Sequence, residues 1–413
     1  MSHTFSDLGL SSELIHTLSG LGLETPTEVQ QHAIPHVLRH SDVLAGAQTG
    51  TGKTAAYGLP IIDQLSTSPQ TGETRALILV PTRELAQQVF DNLTSYAQHT
   101  QLNIVVVYGG VSIKKQTEQL KAGADIVIAT PGRLLDHLFN KHVSLNAVGC
   151  VVFDEADRML DMGFMPDIQR ITKRLPQTRQ TLFFSATFET RVKTMAYRLL
   201  NDPVEVQVTP QNSTAETVIQ MVYPVGKHRK SELLAYLIGA NNWQQVLVFT
   251  KTKQGSDALA KELKLDGIKA ASINGDKSQG ARQKALDDFK SGKVRALIAT
   301  DVAARGLDIQ QLEQVVNYDM PYKAEDYIHR IGRTGRAGQA GHAISFMSRE
   351  EQGLLEAIEV LLDTRLPQEW LAGFEPGQVN VELENHRRQS RSSEKRKLKA
   401  RLGVHKGRGK KKR

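Results

Sequence analysis

The sequence predicts an α/β protein: two doubly wound parallel-sheet domains in tandem, followed by a disordered basic tail. Three observations carry this. Short apolar strand-like runs alternate with helical patterns in two separate series, as parallel βαβ units require. A glycine-rich loop follows the first run of the first series, and a carboxylate cluster follows a later one. The basic charge is concentrated at the C-terminal end, where residues 387–413 hold 14 Lys+Arg and one acid, a net of +13. The remaining 38 Lys+Arg and 43 acids give a net of −5.

With 413 residues, 40% hydrophobic and 23% charged, the composition is that of a soluble globular protein large enough for two or three cores. No apolar run approaches the roughly 18 residues of a membrane span, and no charged-then-apolar signal opens the chain. The single Cys150 excludes an internal disulfide and fits a reducing, cytoplasmic location.

A helical stretch after Val29-Gln30 stops near His40-Ser41-Asp42, and the first apolar run, Val43-Leu44-Ala45, leads into Ala47-Gln48-Thr49-Gly50-Thr51-Gly52-Lys53-Thr54. Glycines there let backbone N–H groups wrap phosphates. Lys53 reaches the terminal phosphates and Thr54 offers a hydroxyl to Mg²⁺. Ala47 stands where this pattern usually has its first glycine, and the competing reading is an ordinary glycine-rich turn.

Further strand-like runs follow at 75–81, 103–109, 125–130, 150–154 and 181–187. The run Val151-Val152-Phe153 ends in Asp154-Glu155-Ala156-Asp157. A carboxylate cluster at a strand's C-terminal edge lies where an open α/β sheet places its ligand, and it suits Mg²⁺. Alone it is equally an acidic loop; the phosphate loop upstream gives it weight. His32, His36 and His40 recur at helical spacing, but Pro35 disturbs that helix and a solvated face is expected.

Pattern weakens at 209–214, the linker candidate. The second series has runs at 246–250, 270–274, 295–300, 315–319 and 343–347. It has no phosphate loop. Instead Arg330, Arg333 and Arg336 stand three apart among glycines, on one face if the turn is helical. Such arginines can stabilise charge on a phosphate chain when a cleft closes; the bland reading is a basic loop for any anion. The expected limits are 1–209 for the first domain, 210–217 for the linker, 218–368 for the second domain and 369–413 for the tail.

From Phe5 to Met347 the sequence resembles a DEAD-box RNA helicase of superfamily 2. Its motifs occur in order: the Gln30 region, "AQTGTGKT", "PTREL", Gly109-Gly110, "TPGR", "DEAD", "SAT", "VFT", "TDVAARGLD" and "HRIGRTGR". "NWQQVLVFT" and "KSQGAR" most resemble the bacterial RhlE-like branch. The resemblance implies RecA-like domains and the cofactors ATP and Mg²⁺. It places Phe5, Leu23, Gln30, Gln48, Thr49, Gly50, Thr51, Gly52, Lys53, Thr54, Gly306 and Asp308 around the nucleotide. Gln30 would read the adenine edge, with Leu23 in place of a stacking aromatic. Thr54 and Asp154 would hold the metal. Catalysis would fall to Lys53, Asp154, Glu155, His329, Arg333 and Arg336, and interdomain coupling to Asp157, Ser185 and Thr187. RNA would be tracked by Pro81, Arg83, Gly110, Thr130, Arg133, Thr250, Gln279, Arg282 and Thr300. Asn274 departs from the usual His before Gly275.

The implied function is ATP-dependent separation of short RNA duplexes or remodelling of RNA–protein complexes, with RNA-stimulated hydrolysis. An ATP-controlled RNA chaperone or clamp and a DNA helicase are the alternatives. Ribosomal-precursor and RNA-decay complexes are both open as partners, and no membrane is expected.

From residue 387 the chain lacks the apolar content to offset the entropy of ordering and is expected to be disordered, a basic segment that attracts phosphate backbones. Deleting residues 387–413 should leave turnover at saturating RNA unchanged. Each phosphate contact contributes roughly −0.7 to the slope of log affinity against log salt on single strands. Loss of about five contacts flattens the slope by ~3.5. RNA affinity of full-length and truncated protein across a salt series measures this; equal slopes refute a tail contact with RNA.

Overall fold

The structure is a computed structural model of the chain, and it describes residues 4–47, 51–188, 190–208, 218–304, 309, 312–335 and 341–375. These fall into two compact units, the first made chiefly of residues up to 208 and the second chiefly of residues from 218 onward.

The first unit is a seven-stranded sheet of β1 (Val43–Gly46), β2 (Ala76–Leu79), β3 (Ile104–Val107), β4 (Ile126–Ala129), β5 (Cys150–Phe153), β6 (Gln180–Ser185) and β7 (Val204–Gln207), in the order β3-β4-β2-β5-β6-β1-β7. Every pairing is parallel, with Val43 opposite Leu182 and Ala76 opposite both Ile126 and Cys150. The central strands, such as β2 and β4, read as continuous apolar runs because both faces are covered. Successive side chains point to opposite faces, so Val43 and Ala45 join one core and Leu44 the other.

The second unit is a six-stranded parallel sheet of β8 (Val218–Pro224), β9 (Val246–Phe249), β10 (Ala270–Ile273), β11 (Ala296–Ala299), β12 (Gln314–Asn317) and β13 (Gly341–Met347), in the order β10-β11-β9-β12-β13-β8. Both sheets match the expected doubly wound class.

Two strands escaped the sequence reading. β7 (VEVQ) and β8 (VIQMVYP) close one edge of each sheet, and their burial alternates. An edge strand covered on one side lacks the apolar run by which the central strands were found. The spacing of Arg330, Arg333 and Arg336 also misled. The helix Ala324–Ile331 ends before Arg333, so Arg330 and Arg333 share no helical face, and Arg336 lies outside the described residues. Arg330 instead turns into the second unit. Its guanidinium bonds Asp301 at 2.5 and 2.8 Å, Asn317 Oδ1 at 3.2 Å and the Asp319 carbonyl at 2.7 Å.

The folded unit also continues past 368, where the tail was expected to begin. Glu369 N–H donates to the Val222 carbonyl at 3.0 Å, and Leu371 and Phe374 pack against the second unit's core. The Phe374 ring lies 4.7 Å from the Arg229 guanidinium and 5.6 Å from the Tyr236 ring. The strong basic run begins only at Arg387. The linker 210–217 and residues 376–413 lie outside the described residues.

Phe374→Ala should therefore lower the stability of the second unit by about 2 kcal/mol, below the full cost of a core Phe because the ring is only half-buried. Urea unfolding of this variant measures it; a midpoint equal to wild type would show that residues 369–375 do not contribute.

Candidate functional site

The motif residues of the first unit gather at the C-terminal ends of its strands, the edge where open α/β sheets bind ligands. The sheet order sorts them. Residues assigned to nucleotide and coupling follow β5, β6 and β1; those assigned to RNA follow β3, β4 and β2.

At the nucleotide end, the helix Lys53–Ser66 starts from Gly52, whose φ of 92° is left-handed. A Cβ at Gly52 would lie 2.3 Å from Gln30 Nε2, so glycine is required there on both counts. Lys53 is 6% exposed, and its buried Nζ has no hydrogen-bond partner among the described residues. A buried ammonium left so is costly unless an anion completes it. Tyr57, one turn along, donates to Asp154 Oδ2 at 2.9 Å, and Glu155 N–H donates to Asp154 Oδ1 at 2.9 Å. Burial pushes the Asp154 carboxyl from 3.8 up to about 6; Lys53 opposes this and Glu155 adds to it. Burial, with Asp154 beside it, also raises the Tyr57 hydroxyl well above its usual range.

Thr54 is half-buried one residue on. An orphan ammonium, a carboxylate with lone pairs to spare and a hydroxyl at a helix N-terminus fit a phosphate chain with its divalent cation. Gln48, Thr49 and Gly50 lie outside the described residues.

Glu155 takes a left-handed backbone, φ 51°, before the helix Ala156–Asp161. Its Oε2 pairs with Arg158 Nη1 at 2.6 Å, both side chains 4% exposed. Asp157 Oδ2 accepts from Ala186 N–H at 3.2 Å and from Thr187 Oγ1 at 3.3 Å, while Ser185 Oγ donates to the Thr187 carbonyl at 2.8 Å. The structure thus brings Asp157, Ser185 and Thr187 together.

Gln30 is buried, with Nε2 donating to the Gly52 carbonyl at 3.1 Å and Oε1 accepting from Thr27 N–H at 2.9 Å. Leu23 is 39% exposed. Phe5, expected at the nucleotide, is a core residue: it is 4% exposed, within the apolar cluster of Leu8, Leu14 and Leu18. His32, His36 and His40 form no metal cluster; no group of three ligating side chains occurs among the described residues.

At the RNA end, Pro81 is buried and Arg83 opens the helix Arg83–Tyr96. A Cβ at Gly110, φ 80°, would fall 1.9 Å from Arg83 Nη1, so the guanidinium lies against the glycine backbone. Thr130 N-caps the helix Pro131–Phe139 with its hydroxyl unused in capping, and Arg133 stands in its first turn.

In the second unit, Thr250 follows β9, Thr300 follows β11, and Gln279 and Arg282 lie on the helix Gln279–Lys290 after β10. Thr250 Oγ1 and Gln279 Oε1 are buried without hydrogen-bond partners. His329 is on the last turn of Ala324–Ile331 and Arg333 is buried just past it. Gly306, Asp308 and Arg336 lie outside the described residues.

Sequence reasoning missed Tyr57, Arg158 and Gln116. The first was legible as the i+4 neighbour of Lys53 on a helix; the other two carry no local signal.

In the folded chain Asp154 takes up its proton near pH 6, against 3.8 for its ordinary value. Its ionisation therefore opposes folding above about pH 6, and the opposition fades toward pH 4. Asp154→Asn should stabilise protein free of nucleotide and metal at pH 7.5 by up to about 3 kcal/mol, since each tenfold change in proton affinity is worth ~1.4 kcal/mol. The gain should vanish near pH 4. Melting curves of both proteins across pH, with chelator, test this; a gain that does not depend on pH refutes it.

Residues 27–195 match the family model "DEAD/DEAH box helicase" and residues 229–338 match "Helicase conserved C-terminal domain". The DEAD-box ATP-dependent RNA helicase CshA of Bacillus subtilis is 42% identical over 87% of this chain and 72% of its own length. The ATP-dependent RNA helicase DeaD of Escherichia coli is 41% identical over 88% of this chain; the chain spans only 58% of that relative. These names are CshA and DeaD, so the RhlE-like assignment rests on "NWQQVLVFT" and "KSQGAR" alone. Among solved structures, S. cerevisiae Dbp5 bound to RNA and ADP BeF3 is similar with a TM-score of 0.80 and 30% identity, over 89% of this chain and 95% of that one. Mss116p bound to ssRNA and AMP-PNP is similar with a TM-score of 0.81 and 27% identity, over 91% of this chain and 80% of that one. The two α/β units, the ordered motifs and these matches agree: the chain belongs to the DEAD-box family of ATP-dependent RNA helicases.

Proposed function

We propose that this protein hydrolyses ATP in response to RNA and uses the cycle to separate short duplexes or remodel RNA–protein complexes in the cytoplasm. The observation that carries the reading is the buried, unpartnered Lys53 Nζ beside Asp154, at one end of a strand edge whose other end presents Arg83, Gly110 and Arg133. One end suits a phosphate chain and the other a nucleic-acid backbone. No helix of the described residues is long and apolar enough to cross a membrane.

In this reading Lys53 and the phosphate loop bind the terminal phosphates, and Gln30 contacts the adenine. Thr54 and Asp154 hold a magnesium ion, which neutralises phosphate charge when bound. Glu155 orients the attacking water and accepts its proton, held in place by Arg158. Arg333 and Arg336 stabilise the charge that develops on the transferred phosphoryl group. RNA backbone lies along Pro81, Arg83, Gly110, Thr130 and Arg133, and along Thr250, Gln279, Arg282 and Thr300. RNA favours the closed state by differential binding, which makes turnover RNA-dependent.

The test is Glu155→Gln. The amide keeps shape and polarity but is a poor base. ATP and RNA affinities should stay within about threefold while turnover falls by roughly 10² or more. Wild-type turnover in this variant removes Glu155 from the mechanism. In the wild type, ATP turnover that is equal with and without RNA refutes RNA control. ATP-dependent residence on RNA without strand separation would establish a clamp instead. Arg333→Ala should lower turnover by ~10³ with little change in ATP affinity; a variant that mainly weakens ATP binding makes Arg333 a ground-state ligand.

A further inference from the structure

Gln116 belongs to none of the sequence motifs, yet it is the meeting point of the elements that present the proposed RNA contacts. It lies on the helix Ile113–Lys121 and is 5% exposed. Its Oε1 accepts from Arg133 Nη1 at 3.0 Å, and His137 Nε2 lies 3.2 Å from the same oxygen. Its Nε2 donates to the Tyr108 carbonyl at 3.1 Å. Arginine can only donate, so the amide oxygen must face Arg133 and the orientation is fixed by chemistry. Arg133 Nη2 in turn donates to the Val111 carbonyl at 3.1 Å, just past Gly109-Gly110. One buried amide thus ties three pieces together: the end of β3 with its glycine loop, the helix Ile113–Lys121 and the helix Pro131–Phe139.

His137 completes the hub. It is fully buried, and burial, with His142 and Arg133 nearby, holds its pKa down at about 4. It is neutral at physiological pH. The Gln116 amide oxygen can only accept, so the proton of neutral His137 sits on Nε2 and its Nδ1, 3.1 Å from His142 Nδ1, is left to accept. The hub engages one N–H each of Arg133 Nη1 and Nη2, the buried Nε faces the Asp136 carboxylate at 3.5 Å, and one N–H on each Nη is left for a phosphate. Without Gln116, a long side chain with about 2 kcal/mol of rotamer entropy would have to be ordered by the RNA itself.

We infer that Gln116, supported by His137, is a positioning residue for RNA: it fixes Arg133 and the Gly109-Gly110 loop in the geometry that receives the backbone. This rests on the RNA role proposed above for Arg133. Gln116 acts through Arg133 and does not touch RNA.

The experiment is a double-mutant cycle on RNA-stimulated ATP turnover by the full-length chain, with Gln116→Met and Arg133→Ala. Methionine keeps length and volume and deletes the polar groups. In Gln116→Met the RNA concentration at half-saturation should rise about tenfold, the worth of a hydrogen bond to a charged group. Turnover at saturating RNA and the KM for ATP should stay within twofold. In the Arg133→Ala background the same change should add less than twofold, because the group it positions is gone. Gln116→Glu, which keeps the acceptor for Arg133 but loses the donor to the Tyr108 carbonyl, should restore part of the affinity. Multiplicative losses in the double variant, a shifted KM for ATP, or an unchanged half-saturation in Gln116→Met each overturn the inference. Should Gln116→Met fail to fold in thermal unfolding, Gln116→Glu carries the test, and a tenfold loss there overturns it. Wild-type half-saturation in Arg133→Ala removes Arg133 from the RNA track and overturns both readings; a loss in Arg133→Ala without one in Gln116→Met overturns this one alone.

Discussion

The first unit is organised around an ammonium that it buries without a hydrogen-bond partner. Leaving the Lys53 charge so is unfavourable by several kcal/mol unless something anionic stands near. Asp154 supplies part of that charge, but it is itself buried beside Glu155 and its carboxyl is pushed up to about 6. Arg158 engages Glu155 at 2.6 Å, so Asp154 is the carboxylate left to face Lys53. The surroundings must therefore hold the group rigidly, because a relaxed loop would turn the lysine out to water. The left-handed Gly52, the first turn of Lys53–Ser66 and the Tyr57 hydroxyl on Asp154 do that holding. In the proposed reading, stability is given up at this site so that its donors are preorganised for phosphate.

The sheet order then decides how the two ends of the site communicate. In the proposed reading the phosphate-loop, Asp154 and coupling residues sit beyond β1, β5 and β6, and the RNA contacts of this unit beyond β3, β4 and β2, with β2 and β5 neighbours at the join. Each half is cross-linked within itself. Asp157 reaches from the end of β5 to Ala186 and Thr187 past the end of β6. Arg83 lies on Gly110, and Gln116 ties Tyr108 to Arg133. The two halves share the neighbouring strands β2 and β5 as their floor.

How much of this was legible depended on which physical signal each residue carries. Central parallel strands are buried on both faces and announce themselves as apolar runs such as Ile126–Ala129; edge strands such as VEVQ do not. Residues 369–375 looked like the start of the tail because Trp370, Leu371 and Phe374 sit among polar neighbours, and a segment so short has no period to read. Lys53, Asp154 and Glu155 were found because phosphate chemistry constrains residue type and spacing together. Arg330 was grouped with Arg333 and Arg336 by spacing, yet it turns inward to Asp301, since a single helical residue can bury its guanidinium against a carboxylate while its neighbour three along has already left the helix. Gln116 could not be found at all, because its function is a set of distances between segments that only folding brings together.

The proposed adenine contact shows the same dependence on geometry beyond sequence. Gln30 arrives at the site with both ends of its amide engaged, one by Thr27 N–H and the other by the Gly52 carbonyl. A base edge that takes those positions gains only the difference between new and old hydrogen bonds, each worth about 1 kcal/mol net. Stacking adds little, because Leu23 offers apolar area without a π face. Discrimination between bases would then come chiefly from the mismatch cost, an amide end left unpaired by the wrong edge, which exceeds the gain from a right one. And because one of those ends is bonded to Gly52, the residue before Lys53, an edge that displaces it also loosens the turn that aims the lysine. Base identity and phosphate geometry are in that sense read by a single side chain.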